Sequence, residues 1–150
     1  MQKMTILCTG KLNEKFYLDA AAEYVKRLSR FCKLEIIELP EERLPEDPSP
    51  AQIEAALSKE ADAVRAKLPN GCLVIAMCVE GRERSSEELA RYLAGSAAQG
   101  ASHIVFLIGS SFGMHESLKR QAALRLSMSP MTFPHHLLRV MLLEQIYRAY

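Results

Sequence analysis

The sequence has few aromatic residues and almost no net charge. Aromatic residues make up 7% of its 150 positions, Trp is absent, and 19 Lys and Arg stand against 18 Asp and Glu. A net charge of +1 excludes a polycation that coats nucleic acid through charge alone. No apolar run reaches the ~18 residues of a membrane span, and the first residues lack the apolar core of a secretory signal. We therefore expect a protein that neither crosses a membrane nor is exported.

The four cysteines have neither a metal-binding nor a redox spacing. Cys8, Cys32, Cys72 and Cys78 form no CxxC motif and no Cys/His pair at zinc-site spacing. Three of them lie in apolar, strand-like runs, which is typical of reduced core cysteines. This pattern predicts a cytoplasmic protein without a metal site. An enzyme that uses Cys78 as its nucleophile is a disfavoured alternative, because an apolar strand should raise the pKa of that thiol.

Strand-like and helix-like runs alternate along the chain, over a length that suits one domain, residues 1–150. The predicted strands are Met4–Cys8, Lys33–Leu39, Cys72–Val79, His103–Ile108 and Arg125–Met128. The predicted helices are Glu14–Arg30, Pro50–Leu68, Ser85–Gln99, Met114–Leu124 and Pro134–Tyr150. An acidic segment with four prolines, residues 40–50, is predicted to be an extended loop that ends at a Ser49 helix cap. The alternation predicts a three-layer α/β sandwich around a parallel sheet.

Two of the predicted strands break into small residues before the next helix. The first is the segment 106–113, which reads FLIGSSFG, and the second is the segment 126–135, which reads LSMSPMTFPH. Such turns expose backbone N–H and C=O groups at the carboxyl edge of a sheet, so we expect the two loops to form one pocket. The turn Gly109–Gly113 matches neither a P-loop nor a Rossmann fingerprint. A nucleotide bound there would be held by the backbone.

The last predicted helix is apolar on nearly all of its faces, which predicts that a second subunit covers one of them. We expect Pro134 to be its first residue, with the Thr132 hydroxyl as a cap. His135 and His136 then lie in the first turn, where the helix dipole favours the neutral imidazole. His135 and Arg139 are spaced i,i+4 on one face and could both reach a phosphate or a base. Glu144 and Arg148 have the same spacing and are expected to form an ordinary ion pair.

Three motifs in the last third carry a family resemblance. They are IGSSFG at 108–113, LSMSPMTFPH at 126–135 and LLRVMLLEQIYRA at 137–149, and supporting likeness extends to ILCTGKL at 6–12. These segments resemble the ribosomal large-subunit methyltransferase H family. Its members are small enzymes of the SPOUT class that methylate N3 of a pseudouridine in 23S ribosomal RNA.

The resemblance implies a homodimer, formed through the C-terminal helix, in which a trefoil knot over about residues 72–150 binds S-adenosylmethionine as the methyl donor. The implied cofactor contacts are Met77, Gly109, Met128, Ser129, Pro130, Met131, Thr132 and Phe133. Methyl transfer from a sulfonium is an in-line displacement that needs no metal, whereas the acceptor imide nitrogen must lose its proton. His135 and Arg139 are therefore the predicted catalytic residues, with Tyr147 and Arg148 as substrate-side groups.

Two departures from the family pattern bear on these expectations. Members usually have Gly-Gly where this chain has Gly109-Ser110, which adds a side chain at the pocket rim. Relatives also continue past the position of Tyr150 with a short basic tail that is implicated in substrate binding and catalysis. A non-catalytic, ribosome-associated nucleotide-binding factor therefore stays open as an alternative. Because a charge of +1 neutralises few phosphates, we expect weak binding to naked RNA and action on the assembled ribosome.

Overall fold

Five parallel strands form the central sheet of the protein, which a computed structural model describes over residues 2–150. Along the chain the strands are β1 (Lys3–Thr9), β2 (Lys33–Leu39), β3 (Leu73–Glu83), β4 (His103–Ile108) and β5 (Leu124–Ser127). Their order across the sheet is β2-β1-β4-β3-β5, and every neighbouring pair is parallel. The predicted parallel α/β sheet is confirmed.

Five helices cover both faces of this sheet. They are α1 (Lys15–Leu28), α2 (Pro50–Lys67), α3 (Ser86–Ala98), α4 (Glu116–Gln121) and α5 (His135–Ala149). One apolar cluster includes buried residues of α1, α3 and α5, and a second includes buried residues of α2 and α4. Strand β4 contributes to both clusters, and its residues Ile104–Ile108 are at most 3% exposed. A central strand covered on both faces is apolar at every position, as the sequence of β4 predicts.

Helix α5 owes much of its apolar character to burial within its own subunit. It packs between α1 and α3, and Leu142, Leu143 and Ile146 are completely buried there. Leu137 and Met141 stay half-buried on its other side. The sequence pattern of this helix therefore reflects the packing of the monomer as well as any partner.

Several element ends differ from the sequence prediction. Helix α4 is shorter than predicted at both ends, because His115 caps its start by accepting from the Ser117 N–H and the backbone is already extended at Ala122. Strand β3 continues to Glu83, since Arg82 pairs with Leu126 of β5 after a register shift. Backbone pairing extends this strand although its side chains become polar.

The expected start of α5 was wrong. Pro134 has an extended ψ of 137° and precedes the helix, which begins at His135, and no side-chain hydroxyl caps this end. The cap predicted at Ser49 is confirmed, because Ser49 and Gln52 form a reciprocal capping box at the start of α2.

Within residues 2–150, no helix combines the length and the apolarity that a membrane crossing requires.

Candidate functional site

The two strand-end loops meet at one cavity of about 520 Å³. We call it the strand-end cavity, and it opens at the carboxyl ends of β3, β4 and β5. Its wall comes from residues 77–80 within β3, from residues 108–114 at the end of β4 and just after it, and from most of residues 126–135 at the end of β5 and in the loop that follows. Lys119 and Leu138 of the flanking helices complete it. Parallel strands commonly bind ligands at this edge.

Most of the residues predicted to bind the cofactor line this cavity. They are Met77, Gly109, Met128, Ser129, Met131, Thr132 and Phe133, whereas Pro130 lies in the same loop outside the lining. Sequence reasoning missed Glu80 and Lys119, which also line it. Glu80 follows Met77 along β3 and could have been found by extending that strand, but no local signal connects Lys119 of α4 to the cavity.

A tight turn after β4 shapes one wall of the cavity. Ser110 and Gly113 exchange two backbone hydrogen bonds, of 3.0 and 2.9 Å. Gly113 has a φ of +93°, which glycine adopts without strain. A Cβ on Gly109 would lie 2.4 Å from the Gly113 carbonyl oxygen, so only glycine lets the turn close this tightly.

The Ser110 side chain points away from the rim of the cavity and into the protein. Its hydroxyl donates to Glu60 Oε1 of α2 at 2.7 Å, and the backbone N–H of Glu42 donates to Glu60 Oε2 at 2.9 Å. Burial raises the pKa of Glu60, although these two hydrogen bonds counteract part of that rise. The side chain that we expected at the rim of the pocket therefore ties the turn to α2 instead of obstructing the cavity.

Ser110→Ala should lower the free energy of unfolding by about 1–3 kcal/mol, because it leaves a buried carboxylate oxygen without its donor. Urea unfolding at neutral pH measures this change. Ser111→Ala is the matched control, since Ser111 is exposed and binds Glu41 through its backbone N–H, which the substitution keeps. Equal losses from both variants would contradict a special role for the Ser110 hydroxyl.

The loop after β5 is held mainly by its own serines. Ser127 Oγ donates to the Ser129 carbonyl at 3.0 Å, and the Met131 N–H donates to Ser129 Oγ at 3.0 Å. Large apolar side chains stand exposed around the cavity, with Val79 at 49%, Phe112 at 47% and Met131 at 71% exposure. The site therefore presents an ordered polar backbone inside an apolar rim.

His135 reaches the cavity from the start of α5, whereas its neighbour turns away. A Cβ on Gly10 would lie 3.4 Å from His135 Nε2, which places the imidazole beside the end of β1. Burial lowers the pKa of His135, and the proximity of His136 lowers it further. The neutral imidazole that the sequence predicted is therefore favoured. His136 instead lies 3.3 Å from Glu14 and packs edge-on against Tyr17.

Arg139 lies on the same side of α5 as His135 but outside the cavity wall. Its side chain is 3% exposed, and Nη1 donates to Glu38 Oε2 at 2.6 Å. Nη2 donates to the Gly10 carbonyl at 3.2 Å. Glu38 also accepts from the Leu12 N–H at 3.0 Å. This buried pair fixes the loop between β1 and α1, against which His135 rests.

The remaining predicted site residues lie elsewhere. Tyr147 is three turns along α5 from His135, about 18 Å at 1.5 Å per residue, and packs against Tyr24 and Phe31. Arg148 forms the expected ion pair with Glu144 at 2.7 Å. Within the described chain, no three His, Cys, Asp or Glu side chains come together as metal ligands.

Cys78 lines the cavity, but its chemistry does not suit a nucleophile. Burial raises the pKa of its thiol, and the carboxylate of Glu80 raises it further. A protonated thiol is a poor nucleophile. The disfavoured alternative in which Cys78 forms a covalent intermediate therefore gains no support from the structure.

Comparison with known proteins gives the family of the chain. A family model described as "Predicted SPOUT methyltransferase" matches residues 2–150. A protein of Streptococcus uberis named "Ribosomal RNA large subunit methyltransferase H" is 45% identical over 148 residues, which cover 99% of this chain and 93% of that protein. One with the same name from Lactobacillus delbrueckii subsp. bulgaricus is 43% identical, over 97% of this chain and 91% of that protein. The resemblance predicted from the motifs is confirmed, and the chain belongs to the SPOUT methyltransferase family.

Proposed function

We propose that this chain transfers the methyl group of S-adenosylmethionine to N3 of a pseudouridine in 23S ribosomal RNA, in the cytoplasm. The observation that carries the proposal is the strand-end cavity, in which both predicted loops line one space of about 520 Å³. Family membership supports methyl transfer, and the names of the relatives support large-subunit ribosomal RNA as the acceptor.

The cavity suits this donor in size and in chemistry. Its volume lies within the roughly 300–1,000 Å³ range of small-molecule sites. Met77, Met128 and Phe133 offer apolar surface for a purine, while Gly109 and residues 128–133 offer backbone groups for its ring nitrogens. When bound, S-adenosylmethionine supplies an activated methyl group. The protein must then align the acceptor nitrogen and remove its proton.

We assign proton removal to His135. It lines the cavity, and its lowered pKa keeps the imidazole neutral and able to accept a proton at pH 7. Arg139 does not reach the cavity wall, and its guanidinium is occupied by Glu38 and Gly10. We therefore assign Arg139 a positioning role, because it holds the loop that packs against His135.

His135→Ala should reduce kcat by about 10²- to 10⁴-fold, which is typical of losing a general base, with a smaller change in KM for the cofactor. In the unaltered enzyme, kcat should rise with pH through the His135 pKa, below the usual ~6.5, and level off above it. His136→Ala is the companion variant, in which kcat at high pH should be retained while the pH profile moves to higher pH, because the proximity of His136 lowers the pKa of His135. An unchanged pH profile in His135→Ala would contradict this assignment.

The acceptor is identified by tritiated methyl transfer to ribosomal particles and to free 23S RNA. A net charge of +1 should make binding to free RNA weak, so we expect methylation only of assembled particles. Nuclease digestion and mass spectrometry should locate the methyl group on a pseudouridine base. Cofactor binding without transfer to any particle would instead support the alternative, a ribosome-associated nucleotide-binding factor.

We also propose that the working unit is a homodimer and that residues 72–150 form a trefoil knot, as the resemblance implies. The half-buried Leu137 and Met141 on α5 support a second subunit against this helix. Their burial in a dimer would extend the apolar layer that α5 already forms with α1 and α3. Sedimentation equilibrium should show a mass near twice 16.8 kDa.

A further inference from the structure

Charged side chains are scarce in the strand-end cavity. Among the residues that line it, Glu80 and Lys119 are the only acidic and basic side chains apart from His135. Glu80 comes from the second half of β3 and Lys119 from α4. The Lys119 ammonium and the Glu80 carboxylate form an ion pair with each other. An otherwise apolar and backbone-lined cavity thus carries one positive and one negative group, side by side.

The side chains of Lys119 and Glu80 are buried to different degrees, and this arrangement suits the binding of a ligand. The Lys119 side chain is 15% exposed and is held in the wall, whereas the Glu80 side chain is 54% exposed. The hydrogen bond from Lys119 lowers the pKa of Glu80, so that its carboxylate is ionised at neutral pH. Both charges are therefore present, and neither is fully desolvated.

The pair also lies away from the assigned base. His135 rests beside Gly10 at the end of β1, whereas Glu80 belongs to β3, and β4 lies between these two strands. Strand spacings of about 4.8 Å separate β1 from β3 by roughly 10 Å. The cavity therefore has one end at His135 for the acceptor base and another end that carries the ion pair.

We propose that Glu80 and Lys119 bind the amino-acid end of S-adenosylmethionine. Glu80 accepts hydrogen bonds from the ligand ammonium, and Lys119 donates to the ligand carboxylate. A zwitterion needs one charge of each sign within a few ångströms, and charge-assisted hydrogen bonds of this kind are about twice as strong as neutral ones. Apart from His135, no other side chain in the lining carries a charge that could offset the free-energy cost of desolvating these groups. This inference rests on the proposed function.

Two ligands separate the amino-acid end from the rest of the cofactor. S-adenosylhomocysteine has the zwitterion, whereas 5′-methylthioadenosine keeps the adenosine and the thioether but lacks the amino acid. Calorimetric titration of Lys119→Met and Glu80→Gln should show S-adenosylhomocysteine binding weakened by about tenfold for each variant. The affinity for 5′-methylthioadenosine should stay unchanged, which also demonstrates that each variant is folded.

Glu23→Gln is the matched control, because Glu23 forms an ion pair with Arg27 on the exposed side of α1. Glu23→Gln should change neither the affinity for S-adenosylhomocysteine nor the affinity for 5′-methylthioadenosine. Equal losses for both ligands in the Lys119 and Glu80 variants would overturn the inference, since the pair would then support the wall or the adenosine. Unchanged S-adenosylhomocysteine affinity would overturn it as well. If the unaltered chain bound neither ligand, the proposed function itself would fail, which is a distinct result.

Discussion

Gly109→Ala should weaken S-adenosylmethionine binding by about 10- to 100-fold. The added Cβ would lie 2.4 Å from the Gly113 carbonyl oxygen and 2.6 Å from its carbon. Both are backbone atoms, so no side-chain rotation relieves the contact and the turn itself must move. Overpacking of this kind costs about 1–3 kcal/mol, and the displaced turn forms one wall of the cavity. Each 1.4 kcal/mol lost from binding corresponds to about tenfold in affinity.

Gly95→Ala is the matched control for this substitution. Gly95 is exposed within α3, and a Cβ there meets nothing within 4 Å. Alanine in a helix interior is favoured over glycine by roughly 0.5–1 kcal/mol, so this variant should be slightly more stable and should bind the cofactor normally. The comparison uses calorimetric affinity and urea unfolding for both variants. Full affinity in Gly109→Ala would show that the turn does not form the cofactor wall.

The alternation of strand-like and helix-like apolar patterns predicted most of the fold, because the local sequence determines where most strands and helices form. The continuous apolar run of β4 predicted a central strand, and its residues are buried on both faces. The small residues after β4 and β5 predicted loops at one sheet edge, and both line the same cavity. These features depend on short segments whose periodicity is visible in the sequence.

Polar contacts between residues far apart in the sequence could not be predicted, because no local pattern indicates them. The Ser110 hydroxyl binds Glu60, which lies 50 residues earlier, and Arg139 binds Glu38, which lies 101 residues earlier. The spacing of Arg139 from His135 suggested a shared role at the ligand, but the spacing along one helix does not show which element lies opposite. The fold places β1 and β2 there, and Glu38 occupies the guanidinium. Tertiary packing therefore places Arg139 in an ion pair with Glu38, which supports the positioning role that we propose for it.

The sequence did not predict the position of Glu80 at the cavity either, because it depends on the pairing of distant segments. Strand β3 was expected to end at Val79, and its pairing with β5 continues beyond that residue after a register shift. Gly81 allows this, since a Cβ there would lie 2.8 Å from the backbone of Arg125. The close approach of the two strands brings Glu80 to the cavity near Lys119. A strand end that is set by pairing cannot be located from propensity alone.

Glu38→Ala should destabilise the protein by about 3 kcal/mol, the lower end of the range for breaking a buried ion pair. The Arg139 side chain is 3% exposed and would lose the carboxylate with which it pairs. The cost is limited because the Glu38 side chain is 33% exposed. For a chain of this length, that corresponds to a fall in Tm of roughly 6–12 °C. Thermal and urea unfolding at pH 7 measure the change.

The ion pair between Glu38 and Arg139 should also make the free energy of unfolding depend on pH. Burial alone would raise the Glu38 pKa, but the hydrogen bonds from Arg139 and from the Leu12 N–H together lower it below its usual value. The stability that Glu38 contributes is therefore present above the unfolded-state pKa and is lost as pH falls through the lower folded-state pKa. The difference in stability between the unaltered chain and Glu38→Ala should shrink on acidification.

Arg148→Ala is the control on the same helix. Its ion pair with Glu144 has a similar length, 2.7 Å, but the arginine side chain is 62% exposed. Exposed pairs spaced i,i+4 contribute about 0.3–0.5 kcal/mol, so the control should barely change Tm. Glu38→Gln should fall between the two, because the amide oxygen can still accept from Arg139 without the charge. If Glu38→Ala and Arg148→Ala lowered Tm equally, the burial of Arg139 would add nothing to the stability that its ion pair contributes. The positioning role of Arg139 beside His135 would then lose its basis.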